Sequence, residues 1–484
     1  MRIAVVHYHY QRGGVTQVVR QALDGLARVG ADLQVAALAG PPAPTPDAAL
    51  TWTVVPGLGY ASADTAPDPA KLLRDLRSAA KRALGGTPDV WHIHNPTLGK
   101  NPSWPAWIQA LAEAGERLVL QPHDFAEDSR GENYALLQEH RPAGTHLYPV
   151  ADHIRWAPIN RRDAEHLRTA GLPDRWLNPL PNPVVAPDNP SGRDLRPELG
   201  CDRLLLYPVR ITRRKNLGEL LLAACLAPRG TLLGNTLDIT NPNEAAGRDY
   251  WRQLIKALGL PVRLGLGTPT GGDFAFDDLV VTAEQLVTTS VAEGFGLAFL
   301  EPWLWGKPLT GRNLPGITRD FVGKGVSLPG LYDRLDVPLD WLDKAELRRA
   351  LQEALTRTYA AYRRPVPEDA VDRAWAAWVS DDGRIDFGVL NEAQQSGILH
   401  RLVVDPEADK AVSRFPGQSR AASETLRVNR TVIRKQYSLT AYATRLVELY
   451  RKLAQSPVGP VEALDANRLL DCYLRPEALT LLRA

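Results

Sequence analysis

The sequence predicts an α/β protein: two consecutive doubly wound, Rossmann-like domains followed by a C-terminal helical extension. Three observations carry that expectation. Short apolar runs of strand length alternate with amphipathic, helix-length stretches over residues 1–180, and the alternation restarts over residues 200–342, as in parallel sheets covered by helices. Between them, residues 181–199 are rich in proline and carry no periodic pattern, so they read as a linker. Finally, a chain of 484 residues exceeds what one ordinary core organises.

In the first domain, residues 3–6 read as a strand, Gln11-Arg12-Gly13-Gly14 as a turn, and residues 15–29 as a helix with Val15, Val18, Val19, Leu23 and Leu26 on one face. Gly30 ends that helix, and further strands are expected at 33–38, 90–93, 118–121 and 147–150. In the second domain the strands are expected at 204–209, 236–240, 262–266 and 286–289, with helices at 217–227 and 251–258. Residues 343–484 read as helices at 344–362, 369–378, 392–402, 421–435 and 439–453, the last returning to the first domain. No short-period repeat is present.

Composition narrows the classes. A hydrophobic fraction of 44% with 23% charged residues excludes global disorder. A net charge of +2, well mixed, gives no basic stripe for a nucleic acid. Cys201, Cys225 and Cys472 are far apart and make neither a disulfide framework nor a metal knuckle, which fits a reducing cytoplasm. The opening apolar stretch ends at Val6, too short for a signal peptide, and no apolar run approaches the roughly 20 residues that span a bilayer. A cytoplasmic protein is expected; peripheral membrane contact and oligomeric state stay open.

Ligands of open parallel sheets bind at the carboxyl ends of the strands, near helix N-termini. In the first domain those ends carry His7, His9, His92, His94 and His123, five of the ten histidines. That edge is expected to line a site, although any one of them can equally be a satisfied core histidine. His123, beside Asp124, is the strongest candidate. A zinc site lacks short ligand spacing, so no metal is assigned. Gly13-Gly14, between strand and helix, can bring backbone N–H groups close to a phosphate, and a tight turn explains them equally well. The pair is not a GxGxxG fingerprint, which disfavours a nicotinamide cofactor.

In the second domain, Arg210 at a strand end and Lys215 leading into a helix can clamp a diphosphate, against the alternative of a solvated basic loop. Glu293-Gly294-Phe295-Gly296-Leu297-Ala298-Phe299-Leu300-Glu301 places two carboxylates around a turn of small residues. Each can accept two hydroxyl hydrogen bonds, which suits a sugar and a ribose side by side.

In their order and spacing these residues resemble the retaining GT-B glycosyltransferases, specifically glycosyltransferase family four. The resemblance rests on Gly13-Gly14, His92-Ile93-His94, His123-Asp124, Arg210 with Lys215, the Glu293-to-Glu301 segment and Gly306-Lys307-Pro308. It spans about residues 1–320, and the helix near residues 438–453 is similar to the family's closing helix. It implies a donor cleft between the two domains, with Gly13, Gly14, Gly294, Phe295, Gly296, Leu297 and Glu301 at the donor. Glu301 would hold the ribose, Glu293 with the 294–296 backbone the sugar's 3- and 4-hydroxyls, and His123 its 6-hydroxyl side. Arg210 and Lys215 would neutralise the diphosphate. The acceptor would lie near His9, Asn95, Lys100 and Asn101.

The implied activity is transfer of a hexose from a nucleotide-diphosphate sugar to a hydroxyl acceptor, with retention of configuration and no cofactor besides that co-substrate. No Asp-x-Asp pair stands at a strand end, so metal-independent transfer is expected. Two other readings use the same residues: a phosphorylase of the same fold, and a catalytically silent sugar-nucleotide-binding protein. The sequence departs from the family at Pro302 and Trp303-Leu304-Trp305, where small residues are usual, so the helix after Glu301 is expected to start or bend differently. Much of the chain after Ser380 has no counterpart in the family core.

Overall fold

The computed structural model describes the chain except for Arg12, Ala484 and residues 42–51, 186–190, 240–241, 406, 414 and 416–422. Thr240, the middle of the proline-rich linker and the first residues of the expected 421–435 helix therefore fall outside the described residues. The chain forms two compact units. The first comprises Met1–Pro183, Thr358–Arg364 and Lys435–Leu474; the second comprises Val184–Arg357, Pro365–Arg434 and Arg475–Ala484.

The first unit opens with β1 (Arg2–His7), α1 (Gly14–Arg28), β2 (Gln34–Ala39), β3 (Trp52–Val54), α2 (Pro69–Leu84) and β4 (Val90–His94). Then follow α3 (Trp104–Glu113), β5 (Leu118–Gln121), α4 (Gly131–His140), β6 (Pro149–Val150), β7 (Ile154–Trp156) and α5 (Arg161–Thr169). Six strands make one parallel sheet in the order β3-β2-β1-β4-β5-β7, so the chain switches direction between β1 and β4. β4 is buried along its whole length, as a strand covered on both faces must be. β3 and α2 were not expected from the sequence. α2 nevertheless carries ordinary signals: Asp68 caps Lys71 N at 2.7 Å, Pro69 opens the first turn and Gly85 closes the helix at φ 65°. The strand expected at 147–150 is corrected. Pro149 lacks the N–H that an inner ladder requires, and β6 forms only a two-residue antiparallel pair, while β7 takes the sheet edge.

The second unit contains α6 (Arg196–Leu199), β8 (Arg203–Arg210), α7 (Leu217–Cys225), β9 (Thr231–Leu237), α8 (Ala245–Leu258) and β10 (Val262–Arg263). It continues with α9 (Phe276–Thr282), β11 (Gln285–Thr288), α10 (Glu301–Leu304), β12 (Leu309–Arg312), α11 (Pro315–Val322) and β13 (Leu331–Tyr332). Its parallel sheet runs β10-β9-β8-β11-β12-β13, the same winding as the first. β9 begins five residues before the expected strand and ends before Thr240. Near the end of β8 the register with β9 shifts between Tyr207 and Arg210, around Pro208, which has no N–H to give the ladder.

The residues expected as a separate helical extension divide between the two units. β14 (Asp336–Pro338), most of α12 (Lys344–Ala361), α13 (Ala370–Trp378), β15 (Arg384–Asp386), α14 (Glu392–Val404) and most of α15 (Ser423–Tyr437) belong to the second. There β14 and β15 pair antiparallel, and α14, opened by a capping box of Asn391 and Gln394, packs on α7. α16 (Leu439–Ala454), β16 (Glu462–Ala463) and α17 (Ala466–Tyr473) belong to the first. α16 starts at the Ser438 cap and lays Tyr442, Ala443, Leu446 and Tyr450 into one core with Ile3, Val5, Val18, Val19 and Leu26. β16 is the partner of β6.

Candidate active site

In the second unit, β8 and β11 are neighbours, so the segments leaving their carboxyl ends lie side by side. Arg210 ends β8, opposite Leu237, and is exposed. The chain then makes a tight turn over Arg213–Lys215, and Asn216, at φ 51°, swings it into α7. A left-handed conformation is uncommon outside glycine and is best tolerated by Asn. The Thr289 hydroxyl, just past β11, holds the turn from below through the carbonyls of Lys215 at 2.9 Å and Asn216 at 3.0 Å.

Lys215 Nζ donates to Glu293 Oε1, and both side chains are nearly buried. Arg214 Nη1 lies 3.3 Å from Glu293 Oε2 and donates to Ala292 O at 2.9 Å. Burial raises the Glu293 carboxyl, but the Lys215 and Arg214 cations outweigh it and hold the group below its ordinary range. Burial also lowers Lys215, a tendency Glu293 opposes. The result is a shielded ion pair at the sheet edge, and neither separation along the chain nor periodicity announces it. Arg214 and Thr289 are site residues that sequence reasoning left unassigned.

Gly294, Phe295 and Gly296 follow directly. Phe295 is buried and meets Phe321 edge-on. Gly296 has φ 89°, and a Cβ there would sit 2.8 Å from side-chain carbons of Ile317 and Phe299, so both backbone and packing demand glycine. Leu297, partly exposed, starts a turn of 3-10 helix that runs into α10. That helix starts at Glu301 with Pro302 in its first turn, where proline is tolerated, and ends after Leu304. Trp303 fills the core beneath and bonds Phe299 O at 2.9 Å. Among the described residues the Glu301 carboxylate has no side-chain partner, and burial pushes it up to about 7.

In the first unit, the histidines form a stacked, neutral cluster. His94 Nδ1 and His123 Nε2 are 2.9 Å apart, and His92 stacks on His94 with ring centroids 4.4 Å apart. His92 is committed to the fold through Tyr450 OH at 2.7 Å and Gln121 Oε1 at 2.9 Å. Burial lowers all of them: His7 and His123 to about 3 and His92 to about 4. Asp124 does not orient His123; it pairs with Arg130. No group of three His, Cys, Asp or Glu among the described residues could hold a metal ion.

Of the acceptor candidates, two are already used by the chain. Asn95, at φ 54°, accepts the His123 and Asp124 N–H groups on Oδ1 at 2.7 and 3.1 Å, fixing the turn after β5. Asn101 is fully buried; Nδ2 donates to Gly57 O and Gly59 O, and Oδ1 accepts from Ser103 N. With both donors committed, Asn101 is corrected from an acceptor residue to a structural one. His9 and Lys100 are less buried and share the Tyr60 ring, His9 edge-on at 4.9 Å and Lys100 above it at 5.6 Å. At the start of α1, Gly13 is extended at φ −178°, its only near neighbour Gln11 O, and Gly14 would place a Cβ in open space. The fold itself therefore requires neither glycine, which leaves the helix N-terminus accessible.

Residues 12–201 match the family model of Glycosyltransferase Family 4. Over 381 residues the chain is 27% identical to mannosylglucosyl-3-phosphoglycerate synthase of Petrotoga mobilis, covering 73% of this chain and 72% of that protein. Among solved structures it is similar to HepE of Anabaena in complex with UDP and glucose, with a TM-score of 0.52, 13% identity, and 93% and 99% of the two chains covered. A trehalose-6-phosphate protein of E. coli bound with UDP-2-fluoro glucose aligns with a TM-score of 0.51 at 11% identity over 94% of this chain and all of that one. Two six-stranded parallel sheets of the same winding, with a family match over most of the first unit, make the chain a family-four-like glycosyltransferase of the GT-B fold.

Proposed function

We propose that the protein is a retaining, metal-independent hexosyltransferase that moves a sugar from a nucleotide-diphosphate donor to an acceptor hydroxyl. The observation that carries this reading is the arrangement in the second unit. A shielded cation-carboxylate pair (Lys215 and Glu293) and a shielded, unpartnered carboxylate at the start of α10 (Glu301) stand at the carboxyl edge of one sheet. UDP and a glucose ligand in the HepE structure, and the sugar transfer named for the Petrotoga relative, support a nucleotide sugar as co-substrate.

In this reading Lys215 and Glu293 neutralise one another until the donor arrives. The diphosphate then takes Lys215, with Arg210 as second cation, while Glu293 and the amides of the 294–296 turn accept and donate to the sugar hydroxyls. Glu301 accepts two ribose hydroxyls, the partners it lacks in the chain. The bond from the anomeric carbon to the phosphate oxygen breaks, and its electron pair leaves with the diphosphate. The acceptor oxygen attacks from the same face, and its proton passes to the departing phosphate oxygen, so configuration is kept. Charge grows on the leaving group in the transition state, which is where fixed cations contribute most. In the first unit, His123 is neutral and acts as a hydrogen-bonding group toward the sugar's 6-hydroxyl side, with His9 and Lys100 on the acceptor side.

Incubation with UDP-, GDP- and ADP-hexoses and a hydroxyl acceptor panel, followed by nucleotide release and NMR of the first product, tests the proposal. An α-linked donor should give an α-linked product in the presence of EDTA. A β-linked product removes the retaining mechanism; activity that disappears with EDTA and returns only with a metal removes metal independence.

A further inference from the structure

Part of the chain beyond the family core reaches the cation turn directly. α14 packs on α7, and from it Gln395, fully buried, sends Nε2 to Asn216 Oδ1 at 3.0 Å and to Phe387 O at 3.1 Å. Asn216 is the left-handed residue next to Lys215, and its own Nδ2 donates to Glu219 at 2.8 Å. Glu219 is locked by Arg312, which also binds Asp386 of β15 through two bonds of 2.8 Å. On the outer side of the same turn, Arg213 Nε pairs with Glu392 of α14 at 2.7 Å.

Gly218 makes this approach feasible. A Cβ at Gly218 would stand 2.0 Å from Gln395 Oε1 and 2.9 Å from the Trp251 ring, so only a glycine in the first turn of α7 lets Gln395 reach Asn216. A helical glycine costs up to about 1 kcal/mol relative to alanine, so its presence needs a compensating contact. The flank of the turn is otherwise loosely filled: a cavity of about 220 Å³ bordered by Thr212, Arg213, Asn216, Trp251 and Gln395 lies there.

We propose that Gln395 is a positioning residue for the phosphate-binding cations. Through Asn216 it fixes the left-handed turn that sets the direction of Lys215, so this part of the extension serves as a back-brace for donor chemistry. The inference rests on the reading of Lys215 as a diphosphate ligand given above. Asn216 lies against the carbonyls that Thr289 holds, so losing the Gln395 bond frees the side-chain end of the turn and not its backbone anchor.

The test compares nucleoside diphosphate with monophosphate binding, because only the former engages the clamp fully. Isothermal titration with UDP, GDP and ADP and their monophosphates identifies the preferred base and its affinity ratio. In Gln395→Leu and in Gly218→Ala the diphosphate-over-monophosphate ratio should fall about tenfold, with monophosphate affinity, which reports the Glu301 side, unchanged. A Lys215→Ala control should lower the same ratio further. If Lys215→Ala lowers the ratio while both other variants keep it, the brace is refuted and the clamp survives. If Lys215→Ala leaves the ratio untouched, the clamp and the brace fall together. Melting curves separate the outcomes from misfolding, since a merely destabilised core shifts Tm without changing a ratio of affinities.

Discussion

The two units present polar sheet edges built on opposite electrostatic principles. In the first, histidines stack on one another, and burial keeps them neutral. In the second, Lys215, Arg214 and Glu293 stay charged in a similarly shielded place because each has a counter-ion within reach. The difference teaches how a shielded edge remains polar: either it gives up charge and keeps hydrogen bonds, or it keeps charge and neutralises it locally. Only the second arrangement can release a cation toward an incoming anion.

The most severe way to break this comparison is to remove the cation. Lys215→Ala should lower kcat at least about 100-fold, the scale of losing one preorganised donor at a developing charge. Steady-state kinetics with a nucleotide sugar checks it, and a variant within a few-fold of wild type places the leaving-group stabilisation elsewhere.

Next in size is the separation of the two carboxylates. Glu301→Ala should weaken nucleotide binding by about 10- to 100-fold, matching about 1.5 to 3 kcal/mol for hydrogen bonds to a charged acceptor, whereas Glu293→Ala should lose turnover with nucleotide affinity nearly kept. Calorimetry that finds equal binding losses contradicts the assignment. pH sharpens it. Ribose hydroxyls favour the ionised carboxylate, and Glu301 titrates near 7, so nucleotide affinity should rise from pH 6 to 8 and then level off. Glu301→Gln should flatten that rise.

His123→Ala should cost less, about tenfold in kcat/KM, because a neutral hydrogen bond is lost and no charge. With His123 held down to about 3, no limb of the pH–rate profile between 5 and 8 should vanish in this variant. A limb that does vanish would make the imidazole a titrating catalyst.

The smallest effect concerns stability. Glu127 is buried, bonded to Tyr148 OH at 2.6 Å, and pushed by burial up to about 7. A carboxyl raised in the folded state binds a proton that the unfolded chain releases, so its contribution is full below about 4.5 and lost as pH rises toward 7. Glu127→Gln should therefore gain about 2 kcal/mol at pH 8 relative to pH 4, measured by urea unfolding, and leave activity unchanged.

How much of this was legible in the sequence follows from what periodicity encodes. The alternation of β1, α1, β2 and of β8, α7 is written in side-chain spacing, and Arg210, Lys215, Glu293 and Glu301 could be picked out by their place after strands. The meeting of Lys215 with Glu293, 78 residues apart, depends on β11 lying beside β8, and strand order leaves no local mark. Asn95 and Asn101 looked like free amides because a sequence shows donors without their partners. α2 had every ordinary signal, Asp68-Pro69 before it and Gly85 after it, and those signals went unread. Its neighbour β3 is three residues long and offers little pattern to read.

One contact also has a meaning in time. Tyr450 closes on His92 across 358 residues, and the face of α1 that carries Val18, Val19 and Leu26 is completed only by α16. At about 5 to 20 residues per second, a ribosome needs roughly 20 to 70 seconds between making the two partners. For that interval the emerging first unit has an apolar strip with no cover while the second unit is being synthesised. Ribosome-bound chains stalled before residue 435 should be cut by protease within α1, and released full-length chains should resist. Birth order thus makes the first half of this protein the last to finish folding.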